Sequence, residues 1–327
     1  MRRRTFLLSI LALAAGRARA QPARVFKVAT LTTATTTSAR AGTPYFVALD
    51  QRFRELGYIE GKNFVFTLHS AVGRLDKIQE VAAELASTRS DVVLATGSEL
   101  VVGAIRRAVG TTPIVMLAID FDPVERNFIT SLARPGGNIT GLFLRQVESA
   151  VKRLQLLAET LPEARRVAVL WDQFSRDQLK AVEESAKKLE IALLPYEMRG
   201  NFYEYEFDAP LQAAKAQKAQ AVLVLSSGLF FPVRDKMIAA ANAQRLPVVA
   251  ISVYADAGAL VAFGASISHM YRRGAEYVDR ILKGAKPADL PVEQPDRYDL
   301  IVNLKTARAL GIKIPQSVLL RADRVIE

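Results

Sequence analysis

The 327-residue chain sets 44 Lys and Arg against 33 Asp and Glu, is half apolar, and contains no cysteine. That length suggests about two domains, and the apolar half is enough to bury a core in each. Disulfides, thiolate metal sites and cysteine nucleophiles are excluded together.

The chain opens with Arg2, Arg3 and Arg4, continues with the apolar run Phe6 to Ala15, and reaches Ala18-Arg19-Ala20. A positive start, a short apolar run and a small-x-small site predict a cleavable signal peptide over residues 1–20. The mature chain is then expected to begin at Gln21, in the periplasm. The apolar run is shorter than the roughly 20 residues of a spanning helix. Arg3-Arg4-Thr5-Phe6-Leu7 also fits a twin-arginine signal, so both export routes stay open. Losing Arg2, Arg3, Arg4, Arg17 and Arg19 lowers the formal charge from +11 to +6. The other basic residues mix with acids, as Lys180 to Lys188 do with Glu183 and Glu184, so no nucleic-acid partner is expected.

Short apolar runs alternate with helical patterns from there on. Val25 to Leu31 reads as a strand, and Thr32 to Ser38 as a hydroxyl-rich loop at its carboxyl end. Within that loop Thr35 and Thr36 are candidate ligand contacts. A helix over 44–56 stops at Gly57, a strand follows over 63–68, and a helix over 75–86. Asp91 to Ala95 is a buried strand ending in Thr96-Gly97-Ser98, where Gly97 allows close approach and Ser98 can cap the next helix. Pro113 to Ala118 is another buried strand. Asp122-Pro123 predicts a helix start, with Val124, Phe128, Ile129 and Leu132 on one side and Arg134 to Asn138 as its stop. Ile139 to Leu142 closes this βαβ unit.

The pattern then repeats. A helix over 147–161 leads to the strand Arg166–Leu170 and the loop Trp171 to Ser175. A helix over 177–189 and a strand over 191–196 follow, then a polar and aromatic segment, 200–208, with no assignable structure. A helix over 210–217 precedes the strand Ala221–Leu225, which ends in Ser226-Ser227-Gly228. A helix over 232–244 and a strand over 247–251 lead to Ser252-Val253-Tyr254. Ala259 to Phe263 is a strand, 268–282 a long helix, 299–303 a strand, 305–310 a helix, and Pro315 opens a final turn.

Two such series imply an α/β chain of two Rossmann-like lobes with parallel sheets. Ligands of open parallel sheets sit beyond the carboxyl ends of strands. The candidate ligand residues are therefore Thr35, Thr36, Gly97, Ser98, Asp120 and Phe121 on one lobe. On the other they are Phe143, Trp171, Asp172, Ser226, Ser227 and Tyr254. No catalytic residue, metal or cofactor is expected. His69 and His269 stand alone, and no nucleophile elbow, phosphate loop or dinucleotide fingerprint occurs.

Several stretches carry a family resemblance. They are Phe53-Arg54-Glu55-Leu56-Gly57-Tyr58-Ile59-Glu60-Gly61-Lys62-Asn63, Asp122-Pro123-Val124, and Ser131 through Pro135-Gly136-Gly137-Asn138-Ile139-Thr140-Gly141. Tyr277 through Pro295 and Asn303-Leu304-Lys305-Thr306-Ala307 add to them. The chain resembles the periplasmic substrate-binding proteins of ABC transporters that include tryptophan and other aromatic amino-acid binders. The resemblance implies the type I periplasmic binding fold, with three crossings near Asn138–Gly141, Phe263–Gly264 and Gln294–Pro295. Lobe one would comprise 21–139 and 264–294, and lobe two 140–263 and 295–327. It further implies a monomer that captures an amino acid or an aromatic or carboxylic acid and presents it to an inner-membrane ABC permease with its ATPase. A ligand-binding sensor for a membrane receptor and a two-lobed enzyme are the alternatives. One departure concerns the pocket. Ala262-Phe263-Gly264 stands where relatives carry Ser-Tyr-Gly, which implies a less polar site.

Overall fold

A computed structural model describes residues 24–33, 40–72, 75–119, 121–200 and 205–327. The expected signal peptide, Thr35, Thr36 and Asp120 lie outside the described residues. Among the described residues no helix is long and apolar enough to cross a membrane.

The first sheet has the order β2-β1-β3-β4-β5 among the described residues. Its strands are β1 (Phe26–Thr32), β2 (Phe64–Ser70), β3 (Val92–Gly97), β4 (Ile114–Ile119) and β5 (Ile139–Leu144), all parallel. Parallel strands covered on both faces need apolar residues at consecutive positions, and Val92–Ala95 and Ile114–Ala118 are fully buried. On one face lie helices α1 (Pro44–Glu55) and α8 (Ile267–Leu282); on the other lie α2 (Ile78–Ser87) and α3 (Glu99–Val109). Helix α1 starts on Pro44, whose fixed φ and missing N–H suit the first turn. Helix α8 follows a strand of the second sheet yet packs here, its Gly274 facing Leu117 so closely that a Cβ would lie 3.1 Å from Leu117 Cδ2.

The second sheet has the order β12-β11-β10-β9-β8-β6-β7. Its strands are β6 (Arg166–Trp171), β7 (Ala192–Glu197), β8 (Ala221–Val224), β9 (Val248–Ala250), β10 (Val261–Ala265), β11 (Tyr298–Asn303) and β12 (Arg324–Ile326). The pairing is parallel throughout except between β10 and β11. Helices α4 (Val147–Thr160), α5 (Arg176–Lys188), α6 (Asp208–Ala216), α7 (Arg234–Ala243), α9 (Leu304–Leu310) and α10 (Gln316–Leu319) belong to this lobe. The segment left unassigned from sequence contributes Tyr205 and Phe207 to the core beside α6 and α7.

Two expectations are corrected. The predicted helix after Asp122-Pro123 is a hydrogen-bonded loop. The Asp122 carboxylate accepts from the amides of Val124 (2.8 Å) and Glu125 (3.3 Å), but Asn127 turns left-handed (φ 55°) and stops the backbone after one turn. Phe128, Ile129 and Leu132 still pack on the sheet.

The lobe boundary at 139/140 also moves. Strand β5 pairs with β4 from Ile114↔Ile139 to Ile119↔Leu144, so the first crossing follows Leu144. Strand β10 runs through Ala265, so the second crossing falls at Ser266. Glu293 still bonds β5, through Phe143 N→Glu293 O and Glu293 N→Gly141 O, both 3.0 Å, and Tyr298 opens β11. The third crossing therefore spans 294–297.

Candidate functional site

The carboxyl ends of β1, β3 and β4 face those of β8 and β9 across a cleft. At its centre is a cavity of about 50 Å³. Lobe one supplies Thr32 and Thr33 from the end of β1, Thr96 and Gly97 from β3, Ile119 from β4, Tyr45 from α1, and Ile267 and Tyr271 from α8. The facing wall is Gln146, Ser226, Ser227, Gly228, Phe231, Ile251 and Val253. A groove of about 690 Å³ opens on one side, sharing Tyr45, Phe231, Val253 and Ile267 with the cavity. A groove of about 230 Å³ opens on the other, sharing Ile119, Ser227 and Gly228. All three are stretches of one cleft between the lobes.

One wall of the cavity is aromatic. The Tyr45 ring lies 4.7 Å from that of Tyr271 and 5.9 Å from that of Phe231, centroid to centroid. These separations suit tilted and edge-to-face ring contacts. Phe231 packs against the cores of both lobes. Burial pushes the Tyr271 phenol far up, so it is a neutral hydrogen-bonding group at any working pH. Both walls also carry hydroxyls, Thr32, Thr33 and Thr96 from lobe one and Ser226 and Ser227 from the facing side. Thr96 Oγ1 donates to Leu31 O at 3.3 Å, which joins β3 to β1. The Ser226 backbone is pinned on both sides by Gln178, whose Oε1 accepts from Ser226 N (2.9 Å) and whose Nε2 donates to Ser226 O (2.7 Å). Gln178 in turn lies 3.4 Å from the buried Arg153 guanidinium, which also reaches Gln146 and the Phe263 carbonyl at 3.3 Å. Arg153 thus joins Gln146, just past the first crossing, and strand β10 to the Gln178 that holds Ser226. The described lining is made of neutral side chains, able to orient a polar ligand through hydroxyl and amide groups and to pack its apolar part on rings.

The structure brings Gly97, Ser226 and Ser227 to the cavity, and Ser98, Phe121 and Ser227 to the 230 Å³ groove. Four other candidates are placed elsewhere, which corrects their expected contact with ligand. Phe143 is 2% exposed in the lobe-one core. Trp171 is buried in the lobe-two core, with the Arg176 guanidinium 5.3 Å from its ring centroid. The Asp172 carboxylate accepts from Phe174 N (3.0 Å), Ser175 Oγ (3.2 Å) and Ser227 Oγ, so it holds protein loops together. Tyr254 sits in the core one ring behind Phe231, at 6.4 Å. Sequence reasoning missed Tyr45, Tyr271, Gln146 and Phe231. The first two belong to the opening turns of α1 and α8, which point at the cleft because helices of parallel sheets begin at the carboxyl ends of strands.

Residues 48–326 match the family model described as ABC transporter substrate binding protein. A tyrosine-binding protein of Clostridioides difficile is 25% identical over 269 residues, which cover 79% of this chain and 73% of that one. A conserved domain protein from Vibrio cholerae O1 biovar El Tor, known by crystal structure, is 27% identical with a TM-score of 0.79, over 92% of this chain and 100% of that one. The ABC domain from Streptococcus pneumoniae in complex with L-Trp gives the same TM-score at 20% identity, again over 92% and 100%.

Proposed function

Because this chain belongs to the ABC transporter substrate-binding protein family, we propose that it captures an aromatic amino acid in the periplasm and presents it to an ABC permease. The observation that carries this reading is the neutral cavity between the lobes, lined by the rings of Tyr45, Tyr271 and Phe231 together with the hydroxyl-bearing Thr32, Thr96 and Ser226. The tyrosine-binding relative and the L-Trp complex of a similar fold point to the same ligand class.

At about 50 Å³ the centre of the cleft has room for only a few waters, well below the volume of ordinary ligand pockets. An amino acid therefore enters with the lobes apart. Its polar end meets the hydroxyls and Gln146, and its ring runs along Tyr45 and Phe231 toward the 690 Å³ groove. A ligand that touches both lobes favours the closed arrangement by its differential affinity for it. The ligand set in this reading is Thr32, Thr33, Tyr45, Thr96, Gly97, Gln146, Ser226, Ser227, Phe231 and Tyr271. A leader over residues 1–20 delivers the chain to the periplasm, where it acts as a monomer without catalysing a reaction.

The test is calorimetric titration of L-tyrosine and L-tryptophan into protein unfolded and refolded to strip carried-over ligand. One-to-one saturable binding is expected, with thermal stabilisation of about 2.7 kcal/mol at a hundredfold excess over Kd. Tyr45→Ala is expected to weaken binding by about 1–2 kcal/mol through the lost ring contact and buried area. No heat and no thermal shift with either amino acid up to about 1 mM would sink the reading.

A further inference from the structure

Resting on the capture reading above, we propose that Gly228 is a specificity-determining residue: its missing side chain lets the lobes meet at Ser98, and that contact walls off one end of the ligand. A Cβ built on Gly228 would lie 3.1 Å from Ser98 Cβ, 3.6 Å from Ser98 N and 3.7 Å from Ser98 Cα. These atoms belong to different lobes. Ser98 precedes α3 in lobe one, and Gly228 follows β8 in lobe two.

Many glycines of this chain are required by a left-handed backbone. Gly228 is absent from the positive-φ set, so its backbone conformation is open to any residue. What glycine supplies at 228 is close approach. Both tips are held firmly by their own lobes. Around Gly228, Ser226 is clamped by Gln178, Ser227 Oγ donates to Asp172 and accepts from Leu229 N at 3.1 Å, and Phe230 N donates to Ser227 O at 3.2 Å. Ser98 O accepts the first helical amides of α3, from Val101 at 3.0 Å and Val102 at 3.2 Å. A Cβ at 228 needs a few tenths of an ångström from Ser98 Cβ, and larger side chains need more; with both tips bonded into their own lobes, that room comes from the lobes moving apart.

The position of the contact gives it a second consequence. Gly228 lines both the central cavity and the 230 Å³ groove, whereas Ser98 lines only the groove. The Ser98–Gly228 contact is thus the partition between them. Ligand can extend toward Tyr45 and Phe231 but is bounded on the Ser98 side. Widening the contact would loosen the fit to an aromatic amino acid and admit longer molecules.

The chain has no cysteine, so a disulfide probe of the contact needs no background substitutions. In S98C/G228C the two Cβ atoms would start 3.1 Å apart, so a small separation of the tips brings them to the roughly 3.5–4.5 Å that a disulfide spans. Mild oxidation of the ligand-free double variant is expected to form the intramolecular bond, and L-tyrosine is expected to speed it. No bond under either condition overturns the contact. In parallel, Gly228→Val is expected to shift small-angle scattering toward an open form and weaken L-tyrosine binding by about tenfold or more, as the closed population falls. The S98G/G228V pair, which removes the atom struck, is expected to recover part of that loss. Wild-type affinity and scattering in Gly228→Val overturn the proposal, as does a loss that S98G leaves untouched. If the wild type binds neither L-tyrosine nor L-tryptophan, the capture reading falls by itself, and the crosslink and the scattering still decide the contact.

Discussion

Replacing Gly141 with alanine is expected to abolish folding of the first lobe or to cost more than about 4 kcal/mol. Gly141 sits in the middle of β5 at φ 127°, a backbone region that L side chains rarely adopt. An added Cβ would lie 2.1 Å from Met116 O and 2.7 Å from Met116 N. Met116 is the residue paired with Gly141 on the neighbouring strand β4, so the obstacle is backbone that cannot rotate aside. Relief requires β5 to leave the sheet. That would also break the bond from Glu293 N to Gly141 O and unseat the segment that leads into the third crossing. Strain at the special φ and the overlap add together, which places this substitution in the exceptional tail of single-residue effects. Gly137→Ala serves as the control, since nothing lies within 4 Å of its added Cβ, and it should stay within about 0.5 kcal/mol of wild type. Thermal melting by circular dichroism reads both. Soluble Gly141→Ala melting within about 2 °C of wild type would refute the argument, because 4 kcal/mol corresponds to roughly 10 °C in lobes of this size.

The same glycine shows what could be read from the chain and what could not. Alternating strands and helices were legible because a strand buried on both faces is a continuous apolar run, and Val92–Ala95 and Ile114–Ala118 are such runs. The loop after Asp122 was misread for an instructive reason. Val124, Phe128, Ile129 and Leu132 are spaced as on a helix and do pack on the sheet. Periodicity reports burial; the backbone path was decided by left-handed Asn127, which the apolar spacing does not register. Of the residues the strand-end rule names, Gly97, Ser98, Phe121, Ser226 and Ser227 line the cleft, since those loops must open on it. The rule overreached with Trp171 and Phe143, and strand alternation explains both. Along β6, Val167, Val169 and Trp171 share the face beneath α4 and α5, while Ala168 and Leu170 face the other core. Along β5, Ile139 and Phe143 share one face, and Leu142 and Leu144 the other. A period of two already assigns both aromatics to the core. Tyr45 and Tyr271 were invisible to a search of loops because each is written inside an amphipathic helix, as a core residue would be.

Asp172→Ala is expected to destabilise the second lobe by about 3 kcal/mol and to weaken ligand binding, whereas Asp172→Asn should retain most of both. The carboxylate is 1% exposed and fully engaged within the protein. It accepts from Phe174 N, Ser175 Oγ and Ser227 Oγ, and so joins the end of β6 to the loop after β8. Alanine leaves a buried amide and hydroxyl without their acceptor, and hydrogen bonds to a charged group are worth about 1.5–3 kcal/mol each. It also releases Ser227, which holds Gly228 against Ser98, so affinity falls although Asp172 lines no part of the cavity. Asparagine keeps an acceptor oxygen in place. Were the carboxylate instead to pair with the ammonium group of the ligand, Asp172→Asn would lose affinity nearly as severely as alanine; calorimetry on the two variants separates these roles. The pH dependence supplies an independent check. Burial raises the Asp172 pKa above its ordinary 3.8, outweighing the hydrogen bonds that lower it. Its negative charge also adds to the burial that pushes the Tyr205 phenol up to about 12. A carboxyl whose folded pKa is raised binds more protons in the native state, so it stabilises the fold at low pH. That contribution is lost as pH climbs from the ordinary carboxylate value through the raised one. Urea midpoints measured from about pH 4 to about pH 8 should therefore fall more steeply for wild type than for Asp172→Asn. Parallel curves would mean that the hydrogen bonds, and not burial, govern the charge at this position.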